Sequence, residues 1–70
     1  MLEKHSFSLS GHRTSVALEP EFWAVLRAVA ARDGVPLSVL VARLDAGRAP
    51  NQPLASALRV FALRSGGGRP

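Results

Sequence analysis

The sequence predicts a mainly α-helical fold with one β-strand near its N-terminus, completed by a second copy of the chain. Three observations lead there. Between His5 and Leu18 apolar and polar residues alternate, the two-residue period of a strand. Three later stretches, each opened by a proline, carry apolar residues at intervals of three and four, the period of a helix face. The chain has 70 residues and no Cys. A domain that small has marginal stability alone and usually needs a disulfide, a metal or a partner chain. Disulfides and zinc-thiolate sites are excluded, and two histidines, His5 and His12, are too few to suggest a structural metal. Oligomerisation is the remaining common route.

The elements follow in order. Residues 1–12 form an N-terminal arm or an extra strand. There Phe7 and Leu9 fall on one side, and Ser6, Ser8 and Ser10 on the other. Gly11 and His12 interrupt with a bend or bulge. Alternation then resumes in the opposite phase, with Thr14, Val16 and Leu18 on one face and Arg13, Ser15 and Ala17 on the other. Pro20 suits the first position of a helix. That helix carries Phe22, Leu26, Val29 and Ala30 with Trp23 beside them, and Gly34 closes it in the left-handed conformation. A second helix, opened near Pro36, has the stripe Leu37, Leu40, Val41, Leu44 and stops at Gly47. Residues 13–47 are thus the core unit, and 48–52 a loop. Residues 53–64 form a third helix, with Leu54, Leu58 and Phe61 on one face. The Gly-rich stretch 65–70 reads as a disordered tail. No internal repeat is present.

A lone strand cannot make a sheet. It needs either the His5–Ser10 segment as a hairpin partner or the same strand from a second chain. The second arrangement is a two-stranded antiparallel ribbon across a two-fold axis.

The net charge is +4, and eight of the nine basic residues are Arg. Such a balance suits a polyanionic partner, nucleic acid above all. With 47% hydrophobic residues there is ample material for a core. No apolar run approaches the roughly 18 to 20 residues that span a bilayer, and the first ten residues lack the apolar core of a signal peptide. The expectation is a cytoplasmic protein without membrane contact.

The string Gly11-His12-Arg13-Thr14-Ser15, continuing through Val16-Ala17-Leu18-Glu19-Pro20-Glu21-Phe22-Trp23, resembles the ribbon-helix-helix superfamily of the Arc and methionine repressors. The helix end at Asp33-Gly34-Val35 and the second start at Pro36-Leu37-Ser38 extend the likeness. With Leu54 to Phe61 included, the chain looks more narrowly like short bacterial proteins built on this domain. The resemblance implies an intertwined homodimer, or a higher oligomer, whose two-stranded antiparallel ribbon enters the major groove of double-stranded DNA; Arc and the methionine repressor are standard examples of such docking. Alternate ribbon residues would read bases, here Arg13, Ser15 and Ala17. Arg pairs bidentately with guanine, Ser bonds donors or acceptors, and the Ala methyl touches the thymine methyl. The start of the second helix would clamp a phosphate through Leu37 and Ser38, with His12 and Lys4 as further phosphate contacts. Val16, Leu18, Phe22, Trp23, Leu26, Leu40, Val41 and Leu44 would form the dimer core.

Catalysis needs convergent, tuned groups, and no nucleophile motif, phosphate loop or metal spacing is present. No enzyme activity and no cofactor are expected. The leading function is sequence-specific DNA binding by a transcriptional regulator, most simply a repressor. A second reading is an antitoxin-like or adaptor dimer that grips a partner protein with its third helix.

Overall fold

The computed structural model describes residues 1–67. The chain runs β1 (Glu3–Leu9), β2 (His12–Leu18), α1 (Pro20–Asp33), α2 (Leu37–Gly47) and α3 (Leu54–Ala62), and ends in a single π-helical turn over Leu63–Gly67. Two expectations need correction. There are two strands, not one, and they pair antiparallel within the same chain. The segment before Arg13 is therefore a strand, and the ribbon closes without a second copy. The expected disordered tail also fails for residues 65–67, which belong to the last helical turn; residues 68–70 lie outside the described residues.

The hairpin forms because its turn is short and its phases match. Ser10 and Gly11 connect the strands with φ of 53° and 80°. Positive φ at both central residues is what a type I′ turn requires, and its twist suits a hairpin. The turn also explains the change of phase seen in the sequence. The register pairs Phe7 with Thr14 and His5 with Val16, so the odd-numbered residues of β1 and the even-numbered residues of β2 share one face. Phe7, Leu9, Val16 and Leu18 on that face are buried against the helices.

α1 begins at Pro20 and buries Trp23, Leu26, Val29 and Ala30. Trp23 sits at the centre of the core, wholly buried. Its indole N–H donates to the Glu3 carbonyl over 2.9 Å. Its ring meets His5 edge-on at 4.5 Å between centroids and Phe7 at 5.9 Å. A large aromatic thus packs its body against β1 while its polar atom is satisfied, as burial demands. Gly34 closes the helix at φ 70°. Gly34 N–H bonds to Ala31 and Val35 N–H to Ala30, the paired bonds of a Schellman end.

α2 buries Leu40 and Val41, and α3 buries Leu58 and Ala62. Arg48 fixes the intervening loop. Its Nε donates to Asp45 Oδ1 at 2.8 Å and its Nη1 to the Gln52 carbonyl at 2.7 Å. α3 folds back over α1, α2 and β2. Arg59 Nε donates to Glu19 Oε1 at 3.1 Å, tying α3 to the residue that precedes α1.

Candidate nucleic-acid interface

One face of the hairpin is buried, so the other is committed to solvent by the alternation of a strand. That outer face carries three cross-strand pairs. Starting from the turn these are Ser8 with Arg13, Ser6 with Ser15, and Lys4 with Ala17. Ala17 is half-buried, and the other five are exposed. The hydroxyls of Ser6 and Ser15 lie 3.1 Å apart. Four of the six side chains, Ser6, Ser8, Ser15 and Ala17, are small, and the two charges, Arg13 and Lys4, stand at opposite corners. Among the described residues no carboxylate lies within ion-pair distance of either. The face is therefore open, flat and basic, with hydrogen-bonding groups at its centre.

The residues expected to read bases, Arg13, Ser15 and Ala17, fall together on this face, and Lys4 joins them. His12 is exposed but belongs to the other phase, paired with Leu9. It stands beside the turn, off the row that holds Arg13. Ser6 and Ser8 were visible in the sequence as the polar phase of the first segment. Only the pairing register reveals that they share a face with Arg13 and Ser15.

The start of α2 presents a second polar feature. Pro36 caps it in an extended conformation, and its carbonyl accepts from Val39 N–H at 3.0 Å and Leu40 N–H at 3.3 Å. Among the described residues the amides of Leu37 and Ser38 have no backbone acceptor, as expected of the first turn of a helix. Ser38 is exposed and Leu37 half-buried. Pro36 itself supplies neither an N–H nor a hydroxyl, so this turn offers an anion two amides and one side chain.

The proposed core residues have a definite place within one chain. Val16, Leu18, Trp23, Leu26, Leu40 and Val41 are buried there, and Phe22 and Leu44 are half-buried and packed against them. The stripe of α3 is covered in the same way, with Leu58 wholly buried and Leu54 and Phe61 partly so. The adaptor reading assumed that this stripe was free, and the structure gives it no such support.

A cavity of about 330 Å³ lies where α2 meets α3, between Arg43, Arg48 and Arg64 and the apolar groups of Leu44, Val60 and Phe61. Among the described residues its lining has no carboxylate, imidazole or hydroxyl, and Arg cannot lose a proton to act as a base. Among the described residues no three His, Asp or Glu are grouped to hold a metal, and no helix is long and apolar enough to cross a membrane.

Comparison with known proteins agrees with this architecture. The model of the ribbon-helix-helix domain family matches residues 2–65. Curated proteins give no match. Among solved structures, an uncharacterized protein from Bordetella pertussis Tohama I superposes with a TM-score of 0.77 at 40% identity. The match covers 91% of this chain and 54% of that one, so this chain spans about half the length of the solved relative. Strand, helix, Schellman end and second helix, together with a family match over nearly the whole length, place the chain in the ribbon-helix-helix domain family.

Proposed function

We propose that this protein is a sequence-specific DNA-binding regulator, most simply a transcriptional repressor, that works as a homodimer in the cytoplasm. The observation that carries the reading is the outer face of the hairpin, where Arg13, Ser15 and Ala17 line one strand with no acid or bulky side chain among them. A β-ribbon of this kind fits the major groove, where Arg distinguishes guanine by its two acceptors. The free amides of Leu37 and Ser38 and the charge of Lys4 would hold phosphates. Such contacts fix register and orientation without reading sequence. The family match supports DNA binding in general, and the net charge of +4 supports a polyanionic partner.

Selection from a randomised duplex DNA pool tests this reading. Enrichment of a short repeated element is the expected result. Its affinity should fall steeply with salt, because each neutralised phosphate releases counterions. Retention of DNA at low salt with no enriched sequence would replace the regulator with a nonspecific DNA-coating protein.

A further inference from the structure

The cavity of about 330 Å³ between α2 and α3 has no part in the DNA-binding reading, since none of its lining belongs to the hairpin or to the first turn of α2. Its walls are of two kinds. Leu44, Val60 and Phe61 make an apolar side, and Val60 is 38% exposed although it is apolar. Arg43, Arg48 and Arg64 make a cationic side. Arg48 is answered by Asp45 at 2.8 Å and held by the Gln52 carbonyl at 2.7 Å. Arg43 and Arg64 are exposed. Among the described residues they make neither an ion pair nor a side-chain hydrogen bond. Two uncompensated cations thus border an apolar hollow.

We propose that this cavity binds a small amphipathic carboxylate, with its apolar body on Leu44, Val60 and Phe61 and its carboxylate held by Arg43 and Arg64. Small-molecule pockets begin at about 300 Å³. At about 30 Å³ for each water-sized group, the space takes about ten non-hydrogen atoms, the size of a phenyl ring with a short acid side chain. A guanidinium matches a carboxylate through two parallel hydrogen bonds. An inorganic anion would satisfy the arginines and leave the apolar side wet. A neutral apolar molecule would do the reverse. Charge also argues against a second copy of the chain as the occupant. A two-fold contact sets a surface against itself, and here it would bring the arginine rim against its own image. A duplex phosphate backbone would engage the arginines but offer nothing apolar to Val60 and Phe61. The inference stands independently of the DNA-binding reading.

The test titrates the full chain with phenylacetate, followed by calorimetry and by amide NMR shifts. Two controls separate the halves of the site: phenylacetamide keeps the apolar body without the charge, and acetate keeps the charge without the body. Phenylacetate should bind saturably, shift the amides of Leu44 and Val60, and raise the melting temperature as a ligand of the folded state does. Each control should bind about tenfold or more weakly. Arg43→Gln and Arg64→Gln should each weaken phenylacetate binding about three- to tenfold, the value of one hydrogen bond. Both side chains are exposed, so melts of these variants without ligand should match the parent. Val60→Glu sets an acid of the chain's own among the arginines, and should abolish binding while keeping or raising the melting temperature. Equal binding of phenylacetamide removes the arginines from the site and overturns the proposal. Equal binding of acetate, or no saturable binding of phenylacetate, overturns it likewise. So do shifts at Leu44 and Val60 that follow protein concentration and not the probe, the mark of a second copy seated there.

Discussion

On the hairpin, Arg13 stands exposed beside Ser8 and Ser15, with no carboxylate in reach among the described residues. Around α3 the same side chain is used differently. Arg48 is only 29% exposed and bound to Asp45 and the Gln52 carbonyl, and Arg59 reaches Glu19. Both regions contribute to the net positive charge. Yet Arg48 and Arg59 are engaged within the molecule, fixing a loop and anchoring a helix. A basic composition therefore overstates the interface. What matters is which cations the fold leaves unpaired, and the outer face of the hairpin keeps both of its own.

Breaking the buried side of that hairpin should give the largest effect. Trp23→Ala removes a wholly buried ring, its contacts with His5 and Phe7, and the bond to the Glu3 carbonyl. The expected loss is about 3–5 kcal/mol by urea denaturation, with β1 released from α1. On the exposed side, Arg13→Ala should leave stability within about 0.5 kcal/mol. It should cost about 1–3 kcal/mol of discrimination at one base position, read by competition binding. An Arg48→Ala variant behaving the same way would erase the contrast between the two regions. Gly34→Ala forces a Cβ into a left-handed conformation and should cost about 1 kcal/mol in a thermal melt. Among the described residues no atom lies within 4 Å of the added group, so the loss is conformational.

The smallest effect is expected at Glu19. A hydrogen bond from its own backbone amide, and then one from Arg59, hold its carboxyl below the usual carboxylate range. The folded state therefore favours the ionised form. Its contribution is present above the ordinary carboxylate range and fades as pH falls through the lowered value. Glu19→Gln should flatten this acid-side loss slightly in melts recorded at descending pH, and should leave DNA binding at neutral pH unchanged. A marked loss of DNA binding would mean that the Glu19–Arg59 contact orients the hairpin as well as anchoring α3.

Position 5 shows how the two sides of the hairpin differ chemically. His5 Nε2 is 3.4 Å from Glu3 Oε1 and 3.3 Å from Arg27 Nη2. Arg27 can only donate and the Glu3 carboxylate can only accept, so this nitrogen engages one or the other according to whether it carries a proton. The contact secures the edge of β1 on α1. Among the described residues no such engagement is present at Ser8 or Arg13.

Much of the molecule could be read from local signals. Pro20, Gly34 and Gly47 mark helix ends because their backbone preferences act at the residue itself. The alternation at Arg13 to Leu18 separates Val16 and Leu18 from Arg13 and Ser15, because a strand has a period of two wherever it lies. The base-reading candidates were legible for that reason. Ser6 and Ser8 were not, since membership of the same face depends on a register set by the turn at Ser10 and Gly11. A Gly at position 11 fits a bulge, a bend or a hairpin equally well.

The sequence by itself determined one strand followed by three helices, the proline and glycine marks at the helix ends and the two faces of each alternating segment, because torsional preference and hydrophobic period act over a few residues. Tertiary structure decided the rest. It chose β1 as the partner of β2, through His5 and Phe7 packed about Trp23 and Leu9 buried in the same core. It also folded the stripe of α3 back over the same core. Both choices depend on how much apolar surface residues far apart in the chain can bury together. That is a property of the whole assembly of elements, and no local window contains it.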